Sequence, residues 1–208
     1  MGWSTDITHF TGVLDPSSNA PTPAKNIARF FGSIVQAATA WLPGDLLESA
    51  IHCPRRPKRK ACLGRIRLVL VEHDENGQPI EDVRILWECP VCKDYGVIRN
   101  WEGSDWDLSD IERDDGFWES ETLNVHLSDE EYLAVREALA DGRRLLALVI
   151  VAKAGATGPV VELTSSEMEL LLKGVAEALK RAPLARRKPL QALVGKLTQA
   201  LPADGSMH

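Results

Sequence analysis

Residues 53–92 read CPRRPKRKACLGRIRLVLVEHDENGQPIEDVRILWECPVC, and the periodicity inside this stretch decides the fold class. Ile66, Leu68 and Leu70 alternate with Arg65, Arg67 and Val69, and Val83, Ile85 and Trp87 alternate in the same way. A two-residue period with β-branched and large apolar side chains predicts strands with one face buried. Between them, Asp74-Glu75-Asn76-Gly77 is a turn signal, so the two strands form an antiparallel hairpin. Cys53 and Cys62 precede the hairpin, and Cys89 and Cys92 follow it. Both cysteine pairs therefore arrive at the same end of the hairpin. Val97 to Trp101 reads as a third strand.

In a reducing compartment, four cysteines read as metal ligands before they read as bridges. Four thiolates in a tetrahedron suit zinc, with sulfur at ~2.3 Å, and a site closed by four protein ligands is structural. Cys89-Pro90-Val91-Cys92 is the sharpest motif, because a proline between cysteines three apart turns both sulfurs toward one point. Gly96 is expected to permit the tight path that lets amides reach the thiolates. His52 is a possible substitute ligand, but four cysteines need no fifth member. The alternatives are free buried cysteines or a hairpin without metal.

Residues 53–101 resemble a zinc ribbon: a cysteine pair, a hairpin, a CPxC knuckle and a further strand. Two departures stand out. Eight residues separate the first pair, and Lys93 stands where many ribbons have glycine. The whole chain is also similar to a group of uncharacterised bacterial proteins, a resemblance that implies no function.

The wide first pair encloses Arg55, Arg56, Lys58, Arg59 and Lys60, and Arg65 and Arg67 add charge just beyond it. As a finger projected by the zinc site, this loop would contact nucleic-acid phosphates and bind with strong salt dependence. Two intramolecular readings stand beside that one. The cations would balance the formal charge of a zinc tetrathiolate, or pair with the acidic segment 102–121. Residues 101–131 as a whole hold twelve acids against Arg113 alone, although the full chain carries only −6.

Trp101, Trp106 and Trp118 interrupt the acids, which predicts a structured loop. Glu102, Asp105, Asp107 and His126 are the candidates for acid–base or metal chemistry there. The competing reading is that the tryptophans pack while the acids stay solvated. No nucleotide-binding, nucleophile-elbow or HExxH pattern occurs anywhere.

Working outward, residues 1–21 lack periodicity and are expected to be extended or poorly ordered. A helix follows Thr22, with Ile27, Phe30, Phe31, Ile34, Val35, Ala38 and Trp41 on one face and Pro43-Gly44 as its stop. Leu123, Val125 and Leu127 suggest a strand. Ser128 with Glu131 and Thr164 with Glu167 are capping-box signatures that open helices. Leu145 to Val151 is expected to be a strand that turns at Gly155–Pro159 and pairs with Val160–Leu163. Pro183 and Pro189 are expected to interrupt the chain before a last helix bearing Leu190, Leu193, Val194 and Leu197.

The fold class expected is α+β: an N-terminal helix, a zinc-stapled antiparallel β unit, and a C-terminal β-hairpin with helices. Its divisions are 1–52, 53–126 and 127–208. Without a signal sequence or an apolar run long enough to span a bilayer, the chain reads as cytoplasmic and without a membrane partner. The function expected is non-enzymatic: structural Zn2+ at Cys53, Cys62, Cys89 and Cys92, with Arg55, Arg56, Lys58, Arg59 and Lys60 binding nucleic acid in a binding or regulatory role. The first alternative is a protein–protein adaptor docking through the acidic segment or the C-terminal helices. The second is an enzyme using the acidic loop.

Overall fold

A computed structural model describes residues 2–41, 43–111, 122–140 and 142–201. Among these it contains five α-helices and eight strands, most of them antiparallel, so the chain is mixed α+β. The chain divides into two compact units, Met1–Asp110 and Ile111–His208.

The first unit comprises β1 (Gly2–Asp6), α1 (Thr22–Thr39), β2 (Leu47–His52), β3 (Arg65–His73), β4 (Pro79–Glu88) and β5 (Tyr95–Arg99). Its strands lie in the order β1-β5-β4-β3-β2, antiparallel throughout except that β1 runs parallel to β5. The expected hairpin is β3–β4, with Leu68 opposite Trp87 and Leu70 opposite Ile85. Ile66, Leu68, Leu70, Ile85, Trp87 and Ile98 are buried, and their alternate neighbours are not. Helix α1 packs against β2, β3 and β4. It contributes Phe31, Ile34, Val35 and Ala38 to the same core. Trp87 is the hub, with the Phe30 ring edge-on at 5.5 Å and Phe31 tilted at 6.2 Å. Aromatic pairs at these spacings add about 0.5–1.5 kcal/mol each beyond simple burial.

Two strands of this sheet go beyond expectation. The N-terminal stretch, expected to be extended or poorly ordered, is extended at its start and paired: Gly2–Asp6 lies against β5 across the whole register Gly2↔Tyr95 to Asp6↔Arg99. Its residues show no alternation, because a parallel partner supplied from far along the chain creates the strand. Strand β2 also escapes notice in the sequence, since Glu48 and Ser49 break its apolar pattern and its register against β3 shifts between Glu48 and His52.

The second unit comprises β6 (Leu123–His126), α2 (Asp129–Ala138), α3 (Arg143–Ile150), β7 (Lys153–Ala154), β8 (Pro159–Leu163), α4 (Ser165–Arg181) and α5 (Leu184–Ala200). Both capping boxes form. Ser128 and Thr164 accept from the Glu131 and Glu167 amides, and each glutamate reaches back to the cap amide. Leu145–Val151 is not a strand. Residues Arg143–Ile150 form a helix, and β8 instead pairs with β6 and with the two-residue β7. A short apolar run buried on all sides has no polar face, so its period cannot be read. Helix α5 continues through Pro189, so only Pro183 breaks the chain, at its N-cap. No helix among the described residues is long and apolar enough to cross a membrane.

Candidate metal centre

The antiparallel order places the C-terminal ends of β2 and β4 beside the N-terminal starts of β3 and β5. Cys53 follows β2, Cys62 precedes β3, Cys89 follows β4 and Cys92 precedes β5. The four sulfurs lie within 4.8 Å of one another and could hold a metal ion. Cys53 Sγ is 3.6 Å from Cys92 Sγ, and Cys62 Sγ is 3.7 Å from Cys89 Sγ. A tetrahedron with metal–sulfur bonds of ~2.3 Å has sulfur–sulfur edges of ~3.8 Å, so the donor set fits a four-thiolate ion. The sulfurs are far beyond the ~2.05 Å of a disulfide. His52 stands outside the cluster.

Backbone bonds fix both loops. The Cys53 amide donates to Gly64 O at 2.9 Å, and the Cys62 amide donates to Arg55 O at 2.9 Å, closing the first loop on itself. In the second, the Cys89 amide donates to Asp94 O at 2.7 Å and the Lys93 amide to Cys89 O at 2.9 Å. The sulfurs also receive amides, from Gly64 to Cys62 Sγ at 3.4 Å and from Arg55 to Cys53 Sγ. Such donors stabilise thiolates. Burial pushes the Cys53 thiol well up, which the Arg55 amide opposes and the neighbouring Cys92 and Cys89 thiols reinforce. Without a cation beside it, that burial favours the neutral Cys53 thiol.

Gly64 is the glycine this geometry requires. A β-carbon there would fall on Cys89 Sγ and lie 3.0 Å from Val91 Cβ, both in the opposite loop. Gly96 does something other than expected: it is a strand residue whose missing side chain leaves room for Trp3 and Trp87. Lys93, the departure from the ribbon pattern, has φ 60°, the left-handed region that favours glycine.

Two residues that the sequence does not single out join the loops. Asp94 is only 6% exposed; its carboxylate accepts the Trp3 indole N–H at 3.2 Å and pairs with Arg55 Nε at 3.2 Å. The Arg55 guanidinium also lies 5.7 Å from the centre of the Trp3 ring. This clasp ties the first cysteine loop to the second and to β1. Beside it, Arg55, Arg56, Pro57, Cys92, Lys93 and Asp94 line a cleft of about 360 Å³.

The basic residues divide by what they touch. Arg55 is held by Asp94, Arg65 donates to Ala50 O at 2.7 Å, and Arg67 pairs with Glu48 at 2.6 Å. Arg56, Lys58, Arg59 and Lys60 are exposed and have no carboxylate within 4 Å among the described residues. Lys58 and Arg59 have φ 52° and 68°, two successive non-glycine residues in the left-handed region.

The acidic segment is docked where it is described. Leu108 donates its amide to Thr39 Oγ1 of α1 at 2.9 Å, and Trp106 lies against Gly32 of the same helix. Trp101 is 3% exposed. Asp107 accepts the amides of Gly103 at 2.8 Å and Ser109 at 2.9 Å, so its carboxylate folds its own loop. Glu102 and Asp105 are exposed. Trp118 and the acids of 112–121 lie outside the described residues.

A scan against protein-family models, a search of curated proteins and a search of solved structures each gave no match.

Proposed function

We propose that the protein is a non-enzymatic, zinc-stapled binding protein that contacts nucleic-acid phosphate through the loop between Cys53 and Cys62. The cysteine set supports zinc: four soft donors, tetrahedral spacing, and no position left open for a substrate. The observation that carries the nucleic-acid reading is the division of the cations. Arg55, Arg65 and Arg67 serve the fold, whereas Arg56, Lys58, Arg59 and Lys60 are left over at the surface. The left-handed backbone at Lys58 and Arg59 adds weight, since each such residue costs on the order of 1–3 kcal/mol and persists only where the surroundings impose it.

The test is fluorescence-polarisation binding of zinc-loaded protein to single- and double-stranded DNA and RNA at two salt concentrations. Each phosphate contact contributes about 0.9 to the slope of log affinity against log salt. Changing Arg56, Lys58, Arg59 and Lys60 together to alanine should lower that slope by roughly 3–4 and weaken binding on every sequence alike. Absence of binding at low salt, with stoichiometric zinc present, would leave the loop as a balance for the thiolate charge and end this reading. Metal analysis of the same sample tests the zinc assignment separately.

A further inference from the structure

Among the four cysteines only Cys92 is partly exposed; Cys53, Cys62 and Cys89 are buried. It is also the one of the four that lines the cleft beside the site. Three cations share that wall, Arg55, Arg56 and Lys93, against one acid, Asp94. Arg55 is paired with Asp94, so Arg56 and Lys93 are the charges in excess. Lys93 lines the cleft from a backbone conformation that favours glycine. From the opposite loop, Cys53 Sγ comes within 3.6 Å of Cys92 Sγ. Neither Cys62 nor Cys89 lines the cleft.

We propose that Cys92 is a thiol–disulfide exchange site for small anionic disulfides, and that Cys53 resolves it. In the first step the Cys92 thiolate attacks one sulfur of a disulfide R–S–S–R. A Cys92–S–R bond forms, the S–S bond breaks, and one half leaves as RS⁻. In the second step Cys53 gives up its proton to solvent as its sulfur attacks Cys92 Sγ, the Cys53–Cys92 bond forms, and the second RS⁻ leaves. The protein gives up two electrons, the small disulfide accepts them, and both leaving thiolates take protons from water. The approach needed is short, from 3.6 Å to the ~2.05 Å of a disulfide. Carboxylates on the incoming molecule meet Arg56 and Lys93 at the cleft, while the other three cysteines are buried. Loss of two of four ligands would release a bound metal ion, so the exchange also controls the site. That last consequence rests on the zinc reading; the sulfur chemistry does not.

The experiment treats the full-length protein as purified with oxidised glutathione, then maps disulfides in unreduced peptides by mass spectrometry. A chromogenic chelator follows zinc in parallel. The expected product is the Cys53–Cys92 crosslink, with one zinc released per crosslink formed. Reaction with cystamine, which is cationic, should be slower. Arg56→Glu with Lys93→Glu keeps every cysteine and should slow the glutathione reaction by about tenfold. A Cys89–Cys92 bridge as the main product, adducts spread over all four cysteines, or an unchanged rate in the charge-reversed variant would each overturn the proposal. Should that variant lose its fold by circular dichroism, Arg56→Ala alone with the wild-type crosslink map decides the matter. Protein found without zinc would sink the metal assignment and still give a crosslink map that tests the exchange.

Discussion

Around the cysteines of the first unit, burial is local: Cys89 is fully buried, yet Leu63 beside Cys62 is 86% exposed and Val91 beside Cys92 is 63% exposed. In the second unit burial is continuous. Val161, Leu163, Met168, Val175, Leu190, Leu193 and Leu197 are all 0–1% exposed and come from one strand and two helices. The difference concerns what holds each region in place. Burying a large aliphatic side chain stabilises a fold by about 1.5–3 kcal/mol, and the second unit has many such groups meeting each other. The cysteine loops have almost none, and their order falls to backbone bonds, the Asp94–Arg55–Trp3 clasp and whatever binds the sulfurs.

That contrast should break most visibly when the sulfur site is disabled. Cys89→Ser, or chelation of the zinc-loaded protein, removes the bonds between the loops. Structural zinc supplies ~10–16 kcal/mol of binding free energy in small finger peptides. Here β3, β4 and α1 have their own core, so the loss should be smaller, yet ~3 kcal/mol or more. Hydrogen exchange should speed up at Cys53, Cys62, Cys89 and Lys93, whose amides now close the loops, and stay slow in α4 and α5. Equal loss of protection in both units would mean that the metal supports the whole chain and that the contrast is false.

The reverse experiment sharpens the comparison. Met168 is fully buried in α4, and Met168→Ala should cost about 2–5 kcal/mol of stability through lost burial and the cavity left behind. Zinc content and the Cys53–Cys92 proximity should be unaffected. A core mutation in one unit that strips metal from the other would show coupling that packing alone does not predict. Thermal unfolding with metal analysis on the same sample separates these outcomes.

The two regions are also unequally legible. The β3–β4 hairpin is readable because its alternation and its Asp74–Gly77 turn are local, and the four cysteines can be placed from the hairpin alone. Helices α2 and α4 are readable because Ser128 and Thr164 sit three residues before the glutamates that complete their caps. What escapes depends on distant partners. Strand β1 exists through β5, nearly the whole unit away in sequence, and Trp3 reaches Asp94 by the same pairing. Nothing about a single aspartate after a CPxC knuckle announces that its carboxylate will be buried between an arginine and an indole. Helix α3 reads wrongly as a strand for the opposite reason: Leu145 to Val151 is so uniformly apolar that it has no face to betray a period.

The smallest expected effect tests whether the second unit, held by packing, also has an electrostatic weak point. Glu131 caps α2, accepts Lys196 Nζ from α5 at 2.6 Å, and is 6% exposed. Burial alone would raise its carboxyl, but hydrogen bonds from Lys196 and from the Ser128 amide outweigh burial and hold it below its ordinary value of 4.5. A carboxyl lowered in the folded state adds stability that is present above about pH 4.5 and drains away as pH falls through its folded value. Glu131→Gln keeps a cap acceptor and loses the charge, so it should cost ~1 kcal/mol at neutral pH and nothing further in acid. Thermal melts from pH 7 down to pH 3 should therefore show wild type and variant converging as Glu131 protonates, any acid-driven loss of metal from the cysteines being common to both. Parallel curves that never converge would mean that Lys196 and the cap contribute geometry alone, and the second unit would then owe its stability to its core without help from charge.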